Sequence, residues 1–264
     1  MEPVLVLGAA GALGRGIVEA ALDAGRPVLA VADDASALDA LRRSHPGRPL
    51  HTRVARLASE PDAARLTRRL RELGYRPRGV IAAMGGEGAC GRLLDQPADV
   101  LRRTLDEDLL PHLAAARHLF GLLPRDARPA YVLVGGPGAS YPWAGYGHRS
   151  IAAAALRMLA RVLHEEARRE GVDVHLLSVD APVRTPENCA HACDAWPQAR
   201  AVGRRALALV EGPAAARGRA VIPFEPPPLT STSVEVASSA AAAPDTRAWL
   251  DRLLSSPTFR NSPP

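Results

Sequence analysis

The 264-residue sequence predicts an α/β fold, a doubly wound and mostly parallel sheet with helices on both faces. Three observations carry this. Apolar runs of strand length alternate with helix-length amphipathic segments along residues 4–224. A glycine-rich turn joins the first strand to the first helix within about thirty residues, as a βαβ unit requires. No internal repeat interrupts the alternation, and the Pro-, Ser- and Ala-rich character begins only at Pro226.

Val4 to Leu7 is a short apolar run and reads as a buried strand. Gly8 to Gly16 is the turn. Arg15 to Ala24 has helical spacing and ends at Gly25, a natural C-cap. Pro27 to Ala32 is the second strand, closed by Asp33 and Asp34. Ala35 to Arg43 is helical with Ser36 as N-cap candidate and Asp33 or Asp34 as alternative caps, and His51 to Leu57 reads as a strand. Asp62 to Leu73 places Arg on one face and Leu66, Leu70 and Leu73 on the other. Gly79 to Met84 is a strand, and Pro97 to Leu123 holds one long helix or two consecutive ones. Ala130 to Val134 enters Gly135-Gly136-Pro137-Gly138 as a strand. Tyr146 to Glu170 is a long helix, Asp173 to Val179 a strand, Ala199 to Glu211 a helix and Ala220 to Phe224 a last strand. Residues 1–225 are thus expected to form one domain and 226–264 a flexible tail, with a short helix at 245–255 around Trp249, Leu250, Leu253 and Leu254.

Composition narrows the chemistry. Lys and Arg together number 33, and every one is Arg. A Schiff base and a P-loop lysine are therefore excluded. The formal charge of +5 fits a solvated Arg surface better than a nucleic-acid interface. The Arg residues are interleaved with Asp and Glu, and aromatics for base stacking make up only 4%. No apolar run reaches the ~18 residues of a membrane span. The start of the chain lacks the basic segment and cleavage site of a signal peptide, and three Cys make no disulfide framework. A cytoplasmic protein is expected. Cys189, His191 and Cys193 cluster, but their spacing matches no zinc pattern, so no metal site is assigned.

Gly8, Gly11 and Gly14 form G-x-x-G-x-x-G directly after a strand and at the start of a helix. Glycines placed so allow a tight turn, a close approach to a pyrophosphate and close helix–strand packing. The helix start adds free N–H groups and a positive dipole end. Gly8, Ala10, Gly11, Ala12, Leu13 and Gly14 are therefore assigned to a dinucleotide. Asp33 lies 19 positions past Gly14, where its carboxylate would accept from the adenosine ribose hydroxyls. No Arg follows in Asp34-Ala35-Ser36. This favours NAD over NADP.

With these features the sequence resembles the short-chain dehydrogenase/reductase family over residues 3 to about 224. Further support comes from Ala82-Ala83-Met84-Gly85-Gly86, where the family has an Asn-Asn-Ala-Gly turn. Tyr146 opens a long helix as in the family, and Ala181-Pro-Val-Arg-Thr185 resembles its Pro-Gly-x-x-x-Thr stretch. The resemblance implies a single-domain Rossmann fold, a nicotinamide cofactor touched by Ala83, Met84 and Gly85, a small-molecule substrate, and a homodimer or homotetramer. The apolar surface of 97–123 and 146–170, the second with Ile151, Ala152 to Ala155, Leu156, Met158, Leu159, Val162 and Leu163, fits such an assembly.

The family's catalytic Asn, Ser, Tyr and Lys are mostly replaced. In Tyr146-Gly147-His148-Arg149-Ser150 the Tyr stays and Ser150 falls at the Lys position of Tyr-x-x-x-Lys. The Ser position falls on Gly135 or Gly136, and the Asn position on Asp108. A free Tyr has a pKa of about 10 and needs a cation to act near neutrality. Arg149, three residues on and on the same helical face, can supply the charge, and Ser140 can stand in as an oxyanion donor. His148, two residues from Tyr146, is expected at the surface. Three functions follow: an NAD(P)-dependent oxidoreductase on a carbonyl or alcohol, a non-redox cyclase or isomerase on the same scaffold, and a dinucleotide-binding protein without catalysis. The intact glycine turn supports the first and third, and the resemblance tips the balance to the first.

Overall fold

The computed structural model describes residues 2–86, 90–124, 128–212 and 216–225. The expected tail and its helix at 245–255 lie outside the described residues. Seven strands run parallel in the order β3-β2-β1-β4-β5-β6-β7. They are β1 (Val4–Leu7), β2 (Val28–Ala32), β3 (Leu50–Val54), β4 (Gly79–Ala82), β5 (Ala130–Gly135), β6 (Asp173–Ser178) and β7 (Val221–Pro223). The central strands β1, β2, β4 and β5 are buried throughout, which is why they read as unbroken apolar runs.

Seven α-helices lie among the described residues: α1 (Ala12–Asp23), α2 (Ala35–Arg43), α3 (Glu60–Glu72), α4 (Ala98–Asp108), α5 (Leu110–Leu119), α6 (Gly147–Ala167) and α7 (Ala199–Val210). One core layer joins Val4 and Val6 to Ile17, Leu38, Val202 and Leu207, from α1, α2 and α7. The other joins Leu5 and Leu7 to Leu66, Leu70, Leu119, Leu156 and Leu163, from α3, α5 and α6. Alternate residues of β1 thus feed opposite layers, as the pleat demands. Aromatics are few; Tyr131 is the largest fully buried side chain among the described residues, and Phe120 meets it edge-on in the second layer.

Several boundaries differ from the sequence expectation for local reasons. The cap of α2 is Asp34 rather than Ser36. Its carboxylate accepts from Ser36 N at 2.8 Å and Ala37 N at 3.0 Å, and these bonds hold its pKa below the ordinary value. α3 begins two residues early because Ser59 caps it and Pro61 fits the first turn. The segment 97–123 forms two helices that break at Leu109 (φ −118°, ψ −56°). Pro111 has no N–H to carry α4 onward and instead starts α5.

A further packing feature was invisible in the sequence. α1 and α7 touch backbone to backbone through Gly16 and Gly203. A Cβ at Gly16 would lie 2.6 Å from the Cβ of Ala199, and one at Gly203 would lie 2.7 Å from the Gly16 carbonyl oxygen. Both helices are therefore pressed close behind the turn that follows β1.

Candidate functional site

In this strand order the direction of winding reverses between β1 and β4, and open α/β sheets bind ligands outside the strand ends at that point. Here Ala83 N donates to Leu7 O and Ala9 N donates to Val31 O, both at 3.0 Å. The Gly8 turn is thereby fixed between the ends of β2 and β4. Gly8 has φ +74°, and a Cβ on it would strike the Ala83 backbone. A Cβ on Gly14 would fall on the Gly8 carbonyl and lie 2.8 Å from Ala9 Cα. The cap of α1 is Gly11, whose lack of a side chain leaves the first N–H groups of the helix uncapped.

The turn floors a cleft of about 400 Å³ lined by Gly8, Ala10, Gly11, Asp33, Ala83, Met84 and Gly85. Seven of the residues assigned to a dinucleotide from the sequence therefore come together. Three do not line this cleft. Ala12 borders a separate cavity beside Arg15, Leu13 packs on the core, and Gly14 is pressed on Gly8. The cleft also takes in Arg56, from the loop after β3, and Asp106, Glu107 and Pro111. Sequence reasoning searched for a cation only in the turn after Asp33 and so missed Arg56. Strand pairing was the missing signal: Ala55 N donates to Ala32 O at 2.8 Å, which sets the ends of β2 and β3 side by side.

The wall formed by Met84, Gly85 and Gly86 separates the cleft from a second cavity of about 100 Å³, lined also by Asp108, Gly136, Pro137, Arg149 and Ala153. Two side chains hold this wall. Gly86 N donates to Asp108 Oδ1 at 2.6 Å, and His112 Nε2 donates to Met84 O at 3.1 Å. His112 is fully buried, its Nδ1 has no partner among the described residues, and desolvation pushes its pKa down to about 4. It was not among the sequence candidates; only the fold brings α5 under the Met84 turn. Desolvation also holds the Asp108 carboxyl above the ordinary carboxylate value. The Gly86 N–H and the Arg149 charge pull it down, and Glu107 adds to the rise.

The sequence candidates on α6 separate. Arg149 lines the small cavity with Asp108 and forms no ion pair or hydrogen bond with a described residue. Ser150, assigned to the Lys position by spacing, is buried and turned to the preceding loop, where its Oγ accepts from Trp143 N at 2.9 Å. Gly138 (φ +95°) packs on it so closely that a Cβ there would lie 2.7 Å from Ser150 Oγ. Tyr146 stands at the N-cap, half-buried, its ring 4.4 Å from that of Trp143. It does not line the Asp108–Arg149 cavity. Ser140 is exposed and accepts from Arg157 Nη1 at 2.9 Å. The expectation of a surface His148 is corrected. His148 is 1% exposed because it continues the stripe of Ala152, Leu156, Ala160 and Leu163, spaced to face the sheet.

Cys189, His191 and Cys193 lie on the segment between β6 and α7, and no group of three metal-binding side chains occurs among the described residues. No helix of the described residues is long and apolar enough to cross a membrane.

The sequence matches no protein-family model and no curated protein. Solved structures do match. An oxidoreductase of the short-chain dehydrogenase/reductase family from Burkholderia thailandensis is 26% identical, with a TM-score of 0.73 over 84% of this chain and 90% of that one. A short-chain type dehydrogenase/reductase from Mycobacterium ulcerans is 18% identical, with a TM-score of 0.70 over 84% of this chain and 87% of its own. One from Serratia marcescens is 16% identical, with a TM-score of 0.72 over 85% and 96%. These last two share the fold. The sheet order, the glycine turn and the Burkholderia thailandensis likeness agree: the chain has the fold of the short-chain dehydrogenase/reductases and is similar to a member of that family.

Proposed function

We propose that the protein binds a nicotinamide dinucleotide, NAD in preference to NADP, and acts as an oxidoreductase on a small carbonyl or alcohol compound. One observation carries the reading: the cleft on the glycine turn and the cavity holding Asp108 and Arg149 share the Met84–Gly86 wall. A dinucleotide lying along the turn would bring its nicotinamide end to the two polar side chains.

The residues fit such a group. Gly8 and Gly11 let the backbone approach a pyrophosphate, and the uncapped start of α1 offers N–H donors at Ala12 and Leu13. Asp33 would accept from the adenosine ribose hydroxyls, and Ala83, Met84 and Gly85 would face the nicotinamide half. The bound nicotinamide supplies the two-electron chemistry. A carbonyl oxygen reduced there also needs a proton, and Asp108 is the better donor on this geometry than Tyr146. Its carboxyl lines the cavity and desolvation helps it keep a proton. Arg149 then carries the positive charge beside the developing alkoxide. Tyr146, Ser150 and Ser140, the other sequence candidates, support the loop before α6. The exposed apolar residues of α5 and α6 fit a homodimer or homotetramer, and a cytoplasmic location without membrane or nucleic-acid binding is part of the proposal.

A second reading is a redox-inactive family member: a dinucleotide-binding protein or a non-redox enzyme such as a cyclase or isomerase. It is favoured by the Ser150 hydroxyl and the Tyr146 ring, both engaged by Trp143, in a chain without Lys. Calorimetric titration with NADH and NADPH, followed by a carbonyl screen, separates the readings. Under the first, dinucleotide binds and Asp108→Asn lowers kcat by ~10²–10⁴-fold with affinity unchanged. Binding without turnover of any carbonyl or alcohol favours the second, and failure to bind either dinucleotide refutes both dinucleotide readings.

A further inference from the structure

We infer that Arg56 is a second determinant of dinucleotide choice, one that gives the cleft a charged hydrogen-bond donor for a 2′-phosphate beside the carboxylate that selects a free 2′-hydroxyl. The inference rests on the dinucleotide reading above. Asp33 and Arg56 follow directly on Ala32 and Ala55, which are joined by the 2.8 Å hydrogen bond between neighbouring strands. Both residues line the same cleft. Their side chains form no ion pair with each other, and Arg56 has no hydrogen bond or ion pair with any described residue. Its charge helps to lower the pKa of Asp62, at the start of α3, which is already bonded to Ser59 and Arg65.

An exposed guanidinium held at the sheet edge without a partner among the described residues suits a phosphate, which it can grip with two parallel N–H bonds. A 2′-phosphate carries close to two negative charges near neutrality. Asp33 repels such a group and Arg56 attracts it, so the preference between the two dinucleotides is a difference between opposed terms. The 2′-hydroxyl of the unphosphorylated ribose is neutral and gains nothing from the Arg56 charge. Removing Arg56 should therefore widen the preference for NAD, and removing Asp33 should narrow or invert it.

The test is calorimetric titration of the full chain and of Arg56→Ala, Arg56→Lys and Asp33→Asn with NADH and NADPH, at low and high salt. Arg56→Ala should weaken NADPH about tenfold and leave NADH within about twofold. Arg56→Lys should restore part of the loss, and Asp33→Asn should strengthen NADPH. High salt should weaken NADPH more than NADH in the parent and abolish that difference in Arg56→Ala, because an exposed ion pair is screened. Equal weakening of both dinucleotides by Arg56→Ala, or no change in either, overturns the inference while NADH binding by the parent still upholds the dinucleotide reading. If the parent binds neither dinucleotide, that reading falls and the inference with it. Circular dichroism of each variant confirms that the fold is unchanged.

Discussion

Replacing Gly14 by Ala isolates the role of the glycine turn, provided that Gly16→Ala is measured beside it. The added Cβ at Gly14 would lie 2.8 Å from both Ala9 Cα and the Gly8 carbonyl carbon, where carbon atoms normally rest ~3.5–4.0 Å apart. Those neighbours are backbone, so relief requires α1 to back away from the turn. Such overpacking costs ~1–3 kcal/mol, offset by up to ~1 kcal/mol for replacing a helical glycine with alanine. A net loss of ~1–2 kcal/mol lowers Tm by ~2–8 °C at this chain length. Gly16→Ala meets a comparable obstacle, the Ala199 Cβ and carbonyl carbon at 2.6 Å, but against α7 instead of the turn. The two variants should therefore melt similarly and bind differently.

Thermal unfolding and calorimetric titration with NADH read the two effects separately. Gly14→Ala should weaken NADH at least ~10-fold because the Gly8 carbonyl and the start of α1 both move, while Gly16→Ala should stay within ~3-fold of the parent. The reasoning fails if Gly14→Ala melts lower yet binds NADH normally. It fails equally if Gly16→Ala loses as much affinity as Gly14→Ala, since the loss would then follow stability and not the turn.

Three further outcomes are expected. Arg149→Met should lower turnover by at least ~10²-fold, whereas Tyr146→Phe should cost less than ~5-fold; steady-state kinetics with one carbonyl substrate gives both, and the opposite ranking returns proton donation to Tyr146. His112 is held neutral with a pKa of about 4, below the ~6.5 of the unfolded chain. Its contribution to stability is complete above about pH 6.5 and is lost toward pH 4 by up to ~3 kcal/mol, since only the unfolded state binds the proton; His112→Gln should flatten urea-derived stability in that window, and an unchanged slope would refute the assignment. Met158 and Val162 on α6 are 56% and 45% exposed, so Met158→Arg with Val162→Arg should convert an oligomer into monomers by sedimentation, and a monomeric parent at micromolar concentration would remove this interface.

What could be read from the sequence was local. The first βαβ unit was legible because each of its signals lies within a few residues of what it controls: the glycines beside the turn, Gly25 after α1, Asp33 at the end of β2. The break at Leu109 was half legible, since Pro111 was visible but its effect on α4 depended on where that helix ended. The close seat of α1 on α7 could not be read at all. Gly16 and Gly203 are far apart in sequence, and each alone looks like a poor helix residue. Arg56 was hidden for the same reason, because it is the pairing of β2 with β3 that brings it to the cleft Asp33 lines.

The candidate site divides along the same line. The spacing from Tyr146 put Ser150 in the lysine's place and left Arg149 as its neighbour. Spacing along a helix fixes which residues share a face, but the direction of that face depends on how the helix is entered. Here the loop after β5 enters α6 with Trp143 stacked on Tyr146 and hydrogen-bonded to Ser150, so both side chains are turned to the loop. Arg149, one residue earlier than Ser150 and about 100° around the helix, is then the side chain left to meet Asp108 across the cavity. An acid and a guanidinium thus stand where the sequence analysis placed an Asn counterpart and only a helper. The guanidinium acts on the acid: the Arg149 charge lowers the Asp108 pKa against desolvation. Removing the guanidinium should therefore shift the alkaline limb of the pH–rate profile to higher pH as well as slow the reaction, a signature that loss of a purely structural arginine would not produce.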